Sequence, residues 1–282
     1  MNEANEWIIK NRKKTYIVPG SKLDRLPKFI KSLVIFSKYF YHKYIKKITN
    51  PTYYPYHYDG VATKHNCSFM NDKTFIKSHS RATKAADFGS DLFLRVHQAI
   101  WAAHTGIKSE GDLVELGTGR GFIMSAVLES IDNWNDLNRN AWLFDTFKSG
   151  WTDQDGNQDE KNKCDLYAES FNKTKENFSQ WLNVNLVQGK LPQSLIEKNE
   201  SNTSPVEKID KICFLHIDLN YPEGEVESLD LLWSKIVKGG IVLLDDYATH
   251  GFERSYNLMD LQAKKLNRLI LTTASGQGIF IK

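Results

Sequence analysis

Glu115-Leu116-Gly117-Thr118-Gly119-Arg120-Gly121 follows directly on the apolar run DLVEL (112–116) and opens a segment of helical spacing, FIMSAVLESI (122–131). A short apolar run ending in glycine reads as a buried strand. Alternate glycines let the backbone turn sharply and let a ligand approach the main chain closely. The stretch therefore predicts a strand, a ligand-binding turn and a helix in succession. A dinucleotide-binding turn would space its glycines G-x-G-x-x-G and would need a glycine where Phe122 stands. Here the spacing is G-x-G-x-G, which speaks against a nicotinamide-dependent oxidoreductase.

The same alternation continues outward. AWLFDTF (141–147), NLVQG (185–189), KICFLHID (211–218) and GGIVLLDDY (239–247) carry further strands. Residues 90–105, 166–182, 225–237 and 253–266 have helical spacing. LILTT and GIFIK, joined by ASGQ, close the chain as an antiparallel hairpin. Strands alternating with helices predict an α/β fold with a doubly wound, mostly parallel sheet and right-handed crossovers. Residues 148–165 are polar, contain SG and DG pairs and include Trp151; they predict a long loop that could close over a substrate.

The chain has 282 residues, 41% hydrophobic and 25% charged, ordinary globular usage that excludes wholesale disorder. No stretch approaches 18 uninterrupted apolar residues, and the N-terminus lacks the apolar core of a signal peptide. Cys67, Cys164 and Cys213 are odd in number and form no C-x-x-C pair, which fits a cytoplasmic protein rather than a disulfide scaffold. Residues 1–50 carry 12 Lys and Arg against 3 Asp and Glu, an excess of nine. With a net charge of +3, the remainder carries −6. The basic character thus belongs to an arm, and its aromatic helix suits burial better than phosphate tracking, so no nucleic-acid partner is expected. The spacing predicts a helix over 28–48, with Phe29, Leu33, Phe36, Phe40 and Tyr44 interleaved with lysines. That helix could pack on the body, mediate a homo-oligomer, or lie peripherally on an anionic membrane. The chain divides into a helical N-terminal extension, 1–80, and a second domain, 81–282.

Four carboxylates fall at strand ends. Asp145 ends the second strand of the body, 26 residues after Gly119, where it can accept both hydroxyls of a ribose. Asp218 follows the fourth strand, and Asp245 and Asp246 follow the fifth. Ligands of open parallel sheets bind outside these carboxyl ends. Three carboxylates converging there repel one another unless protonated or bridged by a cation, and an all-oxygen set selects a hard ion such as Mg²⁺.

The glycine spacing, with Glu115 two residues before the first glycine, resembles motif I of Rossmann-like class I S-adenosylmethionine-dependent methyltransferases. FDTF (144–147), FLHIDLNYPEGEVESL (214–229), GGIVLLDDY (239–247), SGQGIFIK (275–282) and RVHQAIWAA (95–103) together resemble the macrocin O-methyltransferase family, TylF/MycF/NovP-like, over about residues 81–282. The resemblance implies an S-adenosylmethionine- and Mg²⁺-dependent O-methyltransferase acting on a hydroxyl of a sugar or a related natural product or glycan. It implies that Glu115, Gly117, Thr118, Gly119, Arg120, Gly121, Phe122, Asp145, Thr146, Gly189 and Asp218 line the cofactor, with Glu115 near its methionine end. It also implies that Asp218, Asp245 and Asp246 ligate the metal, Asp218 serving catalysis directly.

One position departs from the family. After the fourth strand the family has D-x-D, whose second Asp is the proposed general base; here that position is Asn220, which accepts no proton at neutral pH. His250, three residues after Asp245-Asp246-Tyr247, is the expected base, with His216 as a second candidate or a core histidine bonded to backbone. Asn220 also leaves open a protein that binds the cofactor without catalysis.

Overall fold

The computed structural model describes residues 27, 30, 33, 37, 56–86, 89–147 and 171–282. The chain divides into two compact units, Met1–Ser68 and Phe69–Lys282. In the first, β1 (Tyr56–Tyr58) and β2 (Val61–Thr63) pair antiparallel, at a place where the sequence reads only as a break. The reason is the connecting Asp59-Gly60, with φ of 52° and 72°. Left-handed conformations at both central residues give a two-residue turn whose twist matches the strands. Ile30, Leu33 and Ser37 are helical and exposed. The rest of the helix predicted over 28–48, and with it the membrane and packing alternatives, lies outside the described residues. So does the loop 148–165 with Trp151.

The second unit begins with α1 (Lys73–Ala86) and α2 (Phe93–Gly106). Then follow β3 (Asp112–Leu116), α3 (Phe122–Ser130), β4 (Ala141–Asp145), α4 (Phe171–Asn177) and β5 (Val184–Gln188). The short helices α5 (Gln193–Ile196) and α6 (Pro205–Lys208) lead to β6 (Ile212–Ile217) and α7 (Pro222–Trp233). Last come β7 (Ile236–Leu244), α8 (Glu253–Lys265), β8 (Leu271–Thr272) and β9 (Gly278–Ile281). Helix α1 has no counterpart among the sequence-predicted elements and runs across position 80. Its buried face is Phe75, Ser78, His79, Ala82, Ala85 and Ala86, mostly small or polar, so its apolar period is faint. Helix α7 starts at Pro222 rather than 225, because proline is at home in a first turn, where its missing N–H costs nothing.

The seven strands of this unit lie in the order β5-β4-β3-β6-β7-β9-β8. Strands β3 to β7 are mutually parallel, and β9 runs antiparallel to β7 and to β8. This is the expected doubly wound sheet with an antiparallel C-terminal hairpin. Leu113, Leu143 and Leu243 face one core, with Val96 and Ala99 of α2 and Ile123 and Val127 of α3. Val114, Leu116, Trp142, Phe144 and Val242 face the other, with Leu229 and Leu232 of α7 and Met259 of α8. Alternate residues of each strand thus enter opposite layers, as pleating requires. The chain winds from β3 outward to β5, then returns to place β6 on the other side of β3. That reversal makes the carboxyl ends of β3 and β6 the switch point where such sheets bind ligands. Among the described residues no helix is long and apolar enough to cross a membrane.

Candidate active site

The loop after β3 is shaped by backbone. Gly117 has φ of 89°, and a Cβ there would lie 1.9 Å from the carbonyl oxygen of Asp218. Only glycine lets the two loops of the switch point approach so closely. Gly119, with φ of 53°, has open space on its Cβ side, so a ligand can lie along it. Its N–H donates to Asp145 Oδ2 at 2.8 Å, while Asp145 Oδ1 accepts from the Phe147 N–H at 2.8 Å and the Thr146 hydroxyl at 3.4 Å. The Gly189 N–H donates to the Asp145 carbonyl at 2.9 Å. One carboxylate therefore ties the glycine loop to the end of β4. Gly121 packs against Phe178, and Thr118 is buried. Arg120 reaches back to donate to the Ala86 carbonyl at 3.3 Å. The Phe122 ring packs over Gly89.

Beneath the loop, Glu115 and His216 are register partners on β3 and β6, and both are buried. Glu115 Oε1 lies 3.0 Å from His216 Nδ1, and His216 Nε2 lies 3.9 Å from Asp245 Oδ1. Burial alone would lower the imidazole pKa; the carboxylates of Asp245 and Glu115 outweigh it and hold His216 above its ordinary value. Burial also raises the Glu115 carboxyl, which the His216 hydrogen bond opposes. His216 is thus neither bonded to backbone nor open to a substrate; it joins two carboxylates from the two halves of the site.

Asp218, Asp245 and Asp246 converge: one ligand atom from each lies within 4.8 Å of the others. Strand β7 ends at Leu244, and the bend that follows brings the adjacent Asp245 and Asp246 to one side. Sequence reasoning gave no role to three groups around them. Arg95, on α2, donates through Nη1 to Asp245 Oδ2 and, at 3.0 Å, to Asp246 Oδ1. Gln277, fully buried before β9, donates to Asp245 Oδ1 at 2.9 Å. Glu225, near the start of α7, has its carboxyl pushed up to about 7 by burial and by Asp246 and Asp245, against a hydrogen bond with Ser255. Arg95 and Gln277 do lie in two stretches, RVHQAIWAA and SGQGIFIK, that the sequence singles out. Three oxygen donors, partly balanced by one guanidinium, suit a divalent cation. Among the described residues this is the one group of three or more potential metal-binding side chains. His250 is not part of the cluster's hydrogen bonding: its side chain is 87% exposed, with Nδ1 3.9 Å from Glu253 Oε1. Asn220 stands in a left-handed turn, with φ of 53°, between β6 and α7.

A parallel doubly wound sheet, closed by an antiparallel hairpin and carrying a glycine loop and acidic residues at its switch point, defines a class I methyltransferase. The model of the macrocin O-methyltransferase (TylF) family matches residues 89–270, about two thirds of the chain. The chain belongs to that family and is an S-adenosylmethionine-dependent O-methyltransferase. Among solved structures it is similar to the O-methyltransferase NovP, at 20% identity and a TM-score of 0.55, over 87% of this chain and 99% of that one. It is also similar to CalS11, a calicheamicin methyltransferase, at 16% identity and a TM-score of 0.50, over 74% of this chain and 93% of that one. A comparison with curated protein sequences finds no significant match.

Proposed function

We propose that this enzyme transfers the methyl group of S-adenosylmethionine to a hydroxyl of a sugar or related natural product or glycan, with Mg²⁺ at Asp218, Asp245 and Asp246. The observation that carries this reading is the convergence of those carboxylates next to the Gly117 turn. CalS11, whose fold this chain shares, is a calicheamicin methyltransferase, which supports a natural-product acceptor. When bound, S-adenosylmethionine supplies a methyl on a sulfonium, and Mg²⁺ supplies charge that lowers the pKa of a hydroxyl beside it.

The chain's own residues do the positioning. Gly117, Thr118, Gly119, Arg120, Gly121 and Phe122 form the wall of the cofactor site, Glu115 lies under its methionine end, and Thr146 and Gly189 flank Asp145. Asp145 holds the ribose, and Asp218 sits where the cofactor and acceptor sides meet. The acceptor oxygen gains the methyl, the carbon–sulfur electron pair stays on sulfur, and the hydroxyl proton must leave. His250, exposed and three residues beyond Asp245-Asp246-Tyr247, is the proposed acceptor of that proton. Alignment of the two reactants supplies much of the acceleration. The catalytic domain is assigned to residues 81–282 of a cytoplasmic homo-oligomer, which light scattering on the purified chain would test.

The deciding assay is methyl transfer from labelled cofactor into nucleotide sugars, glycans and catechols, with and without EDTA. Label in a sugar product, lost in EDTA and restored by Mg²⁺, is the expected result. Undiminished transfer in EDTA would remove the metal. Cofactor binding with no transfer to any acceptor would return the non-catalytic alternative that Asn220 raises.

A further inference from the structure

We propose that Arg95 is a built-in counter-ion of the acidic cluster and that an incoming divalent cation displaces it from the edge shared by Asp245 and Asp246. The inference rests on the metal reading of that cluster. A single nitrogen, Nη1, meets carboxylate oxygens of both residues, Asp245 Oδ2 and Asp246 Oδ1. A hard cation held by both carboxylates would draw on oxygens of the same two residues and so compete with Nη1 for them. The Arg95 side chain is 11% exposed, so its charge sits largely out of water and needs the carboxylates as much as they need it.

Charge and geometry both lead to exchange rather than coexistence on that edge. Three carboxylates with ligand atoms within 4.8 Å repel strongly without a cation. Arg95 supplies one positive charge, which keeps the cluster assembled before any ion arrives. Two cations on the same pair of oxygens would in turn repel each other. Asp245 does not depend on Nη1 for its place, because Gln277 holds Oδ1 at 2.9 Å. The guanidinium has a retreat as well: Nη2 already lies 3.4 Å from Thr249 Oγ1. Metal binding therefore costs the Arg95 bridge. The ion would then be held less tightly than the three carboxylates alone would hold it.

The test is Mn²⁺ binding to the full chain, followed by electron paramagnetic resonance in wild type, Arg95→Gln and Arg95→Lys. Arg95→Gln should bind Mn²⁺ about tenfold more tightly or better, since the ion no longer breaks an ion pair. In EDTA its Tm should fall below that of wild type, and MnCl₂ should restore it. Arg95→Lys keeps the charge on one ammonium that cannot reach both carboxylates and Thr249 together, so it should tighten Mn²⁺ by less. If Arg95→Gln fails to fold without metal, the Arg95→Lys result decides. Equal or weaker Mn²⁺ binding in the variants than in wild type overturns the proposal and makes Arg95 a scaffold for the ligands. Absence of Mn²⁺ binding in wild type and variants alike, with cofactor binding intact, overturns it together with the metal reading.

Discussion

The two halves of the site are built from different materials. The loop from Glu115 to Phe122 is a backbone device: its shape comes from glycines in left-handed conformations and from main-chain N–H groups, and it closes on one carboxylate, Asp145. The cluster of Asp218, Asp245 and Asp246 is a charge device: it stands because Arg95, Gln277 and the His216–Glu115 pair surround it. The first should be intolerant of an added methyl where another backbone closes on it, as at Gly117. The second should tolerate volume and fail on the loss of a charge.

The largest expected effect breaks the charge device without changing its shape. Asp245→Asn keeps one oxygen where Arg95 and Gln277 use two, removes the charge facing Arg95, and leaves the guanidinium only Asp246 of the two carboxylates it bridges. Stability should fall by about 3 kcal/mol in urea denaturation, and Mg²⁺-dependent activity should vanish. Asp246→Asn should also abolish activity, but with a smaller loss of stability, because Asp245 keeps Arg95 paired. Equal stability losses for the two would contradict the hub role of Asp245.

Next comes the added methyl. Gly117→Ala places a Cβ against the Asp218 carbonyl in a left-handed backbone, and should cost about 2–3 kcal/mol and most of the cofactor affinity. Gly119→Ala meets open space and should cost only the conformational term, about 1 kcal/mol. Similar costs at the two positions would show that the close approach at Gly117 does not matter.

Asp145→Ala is a smaller change with a sharper readout. Losing charge-assisted hydrogen bonds worth about 1.5–3 kcal/mol should weaken cofactor binding at least tenfold in calorimetry, with the fold intact. Part of that loss comes from releasing the Gly119 and Phe147 N–H groups, so Asp145→Asn should recover some of it. Unchanged affinity would remove Asp145 from the ribose.

The smallest effect lies in neither region and separates local from global failure. Burial pushes the Cys213 thiol up to about 11, so it stays protonated and enclosed in mildly alkaline buffer. Iodoacetamide should leave it unmodified in wild type and in Asp145→Ala, as read by peptide mass spectrometry. Labelling in any site variant would mark collapse of the sheet rather than damage to the site.

Much of this was legible in the sequence because its signals are local. An apolar run ending in glycine marks a strand and its turn, and acidic residues at strand ends mark the rim of a switch point. Arg95 was not legible as a partner because it lies 150 residues from Asp245, and only the packing of α2 brings it there. Gln277 looked like a turn residue for the same reason. His216 reads as a core histidine until β3 and β6 are set side by side and Glu115 proves to be its register partner. Helix α1 escaped because alanine and serine fill its buried face. The β1–β2 hairpin escaped because two prolines and a run of tyrosines overshadowed Asp59-Gly60.

Because a Cβ at Gly117 would stand 1.9 Å from the Asp218 carbonyl, the turns after β3 and β6 are fitted to each other. Anyone retargeting this enzyme by transplanting the segment between β6 and α7 from another methyltransferase inherits that constraint. The graft must bring a backbone that passes Gly117 at the same distance, or the recipient's glycine turn must travel with it. The turn after β3 and the backbone path after β6 are thus exchanged as one piece: libraries that change side chains at 219–222 on the same path spare the glycine turn, and those that change the segment's length do not.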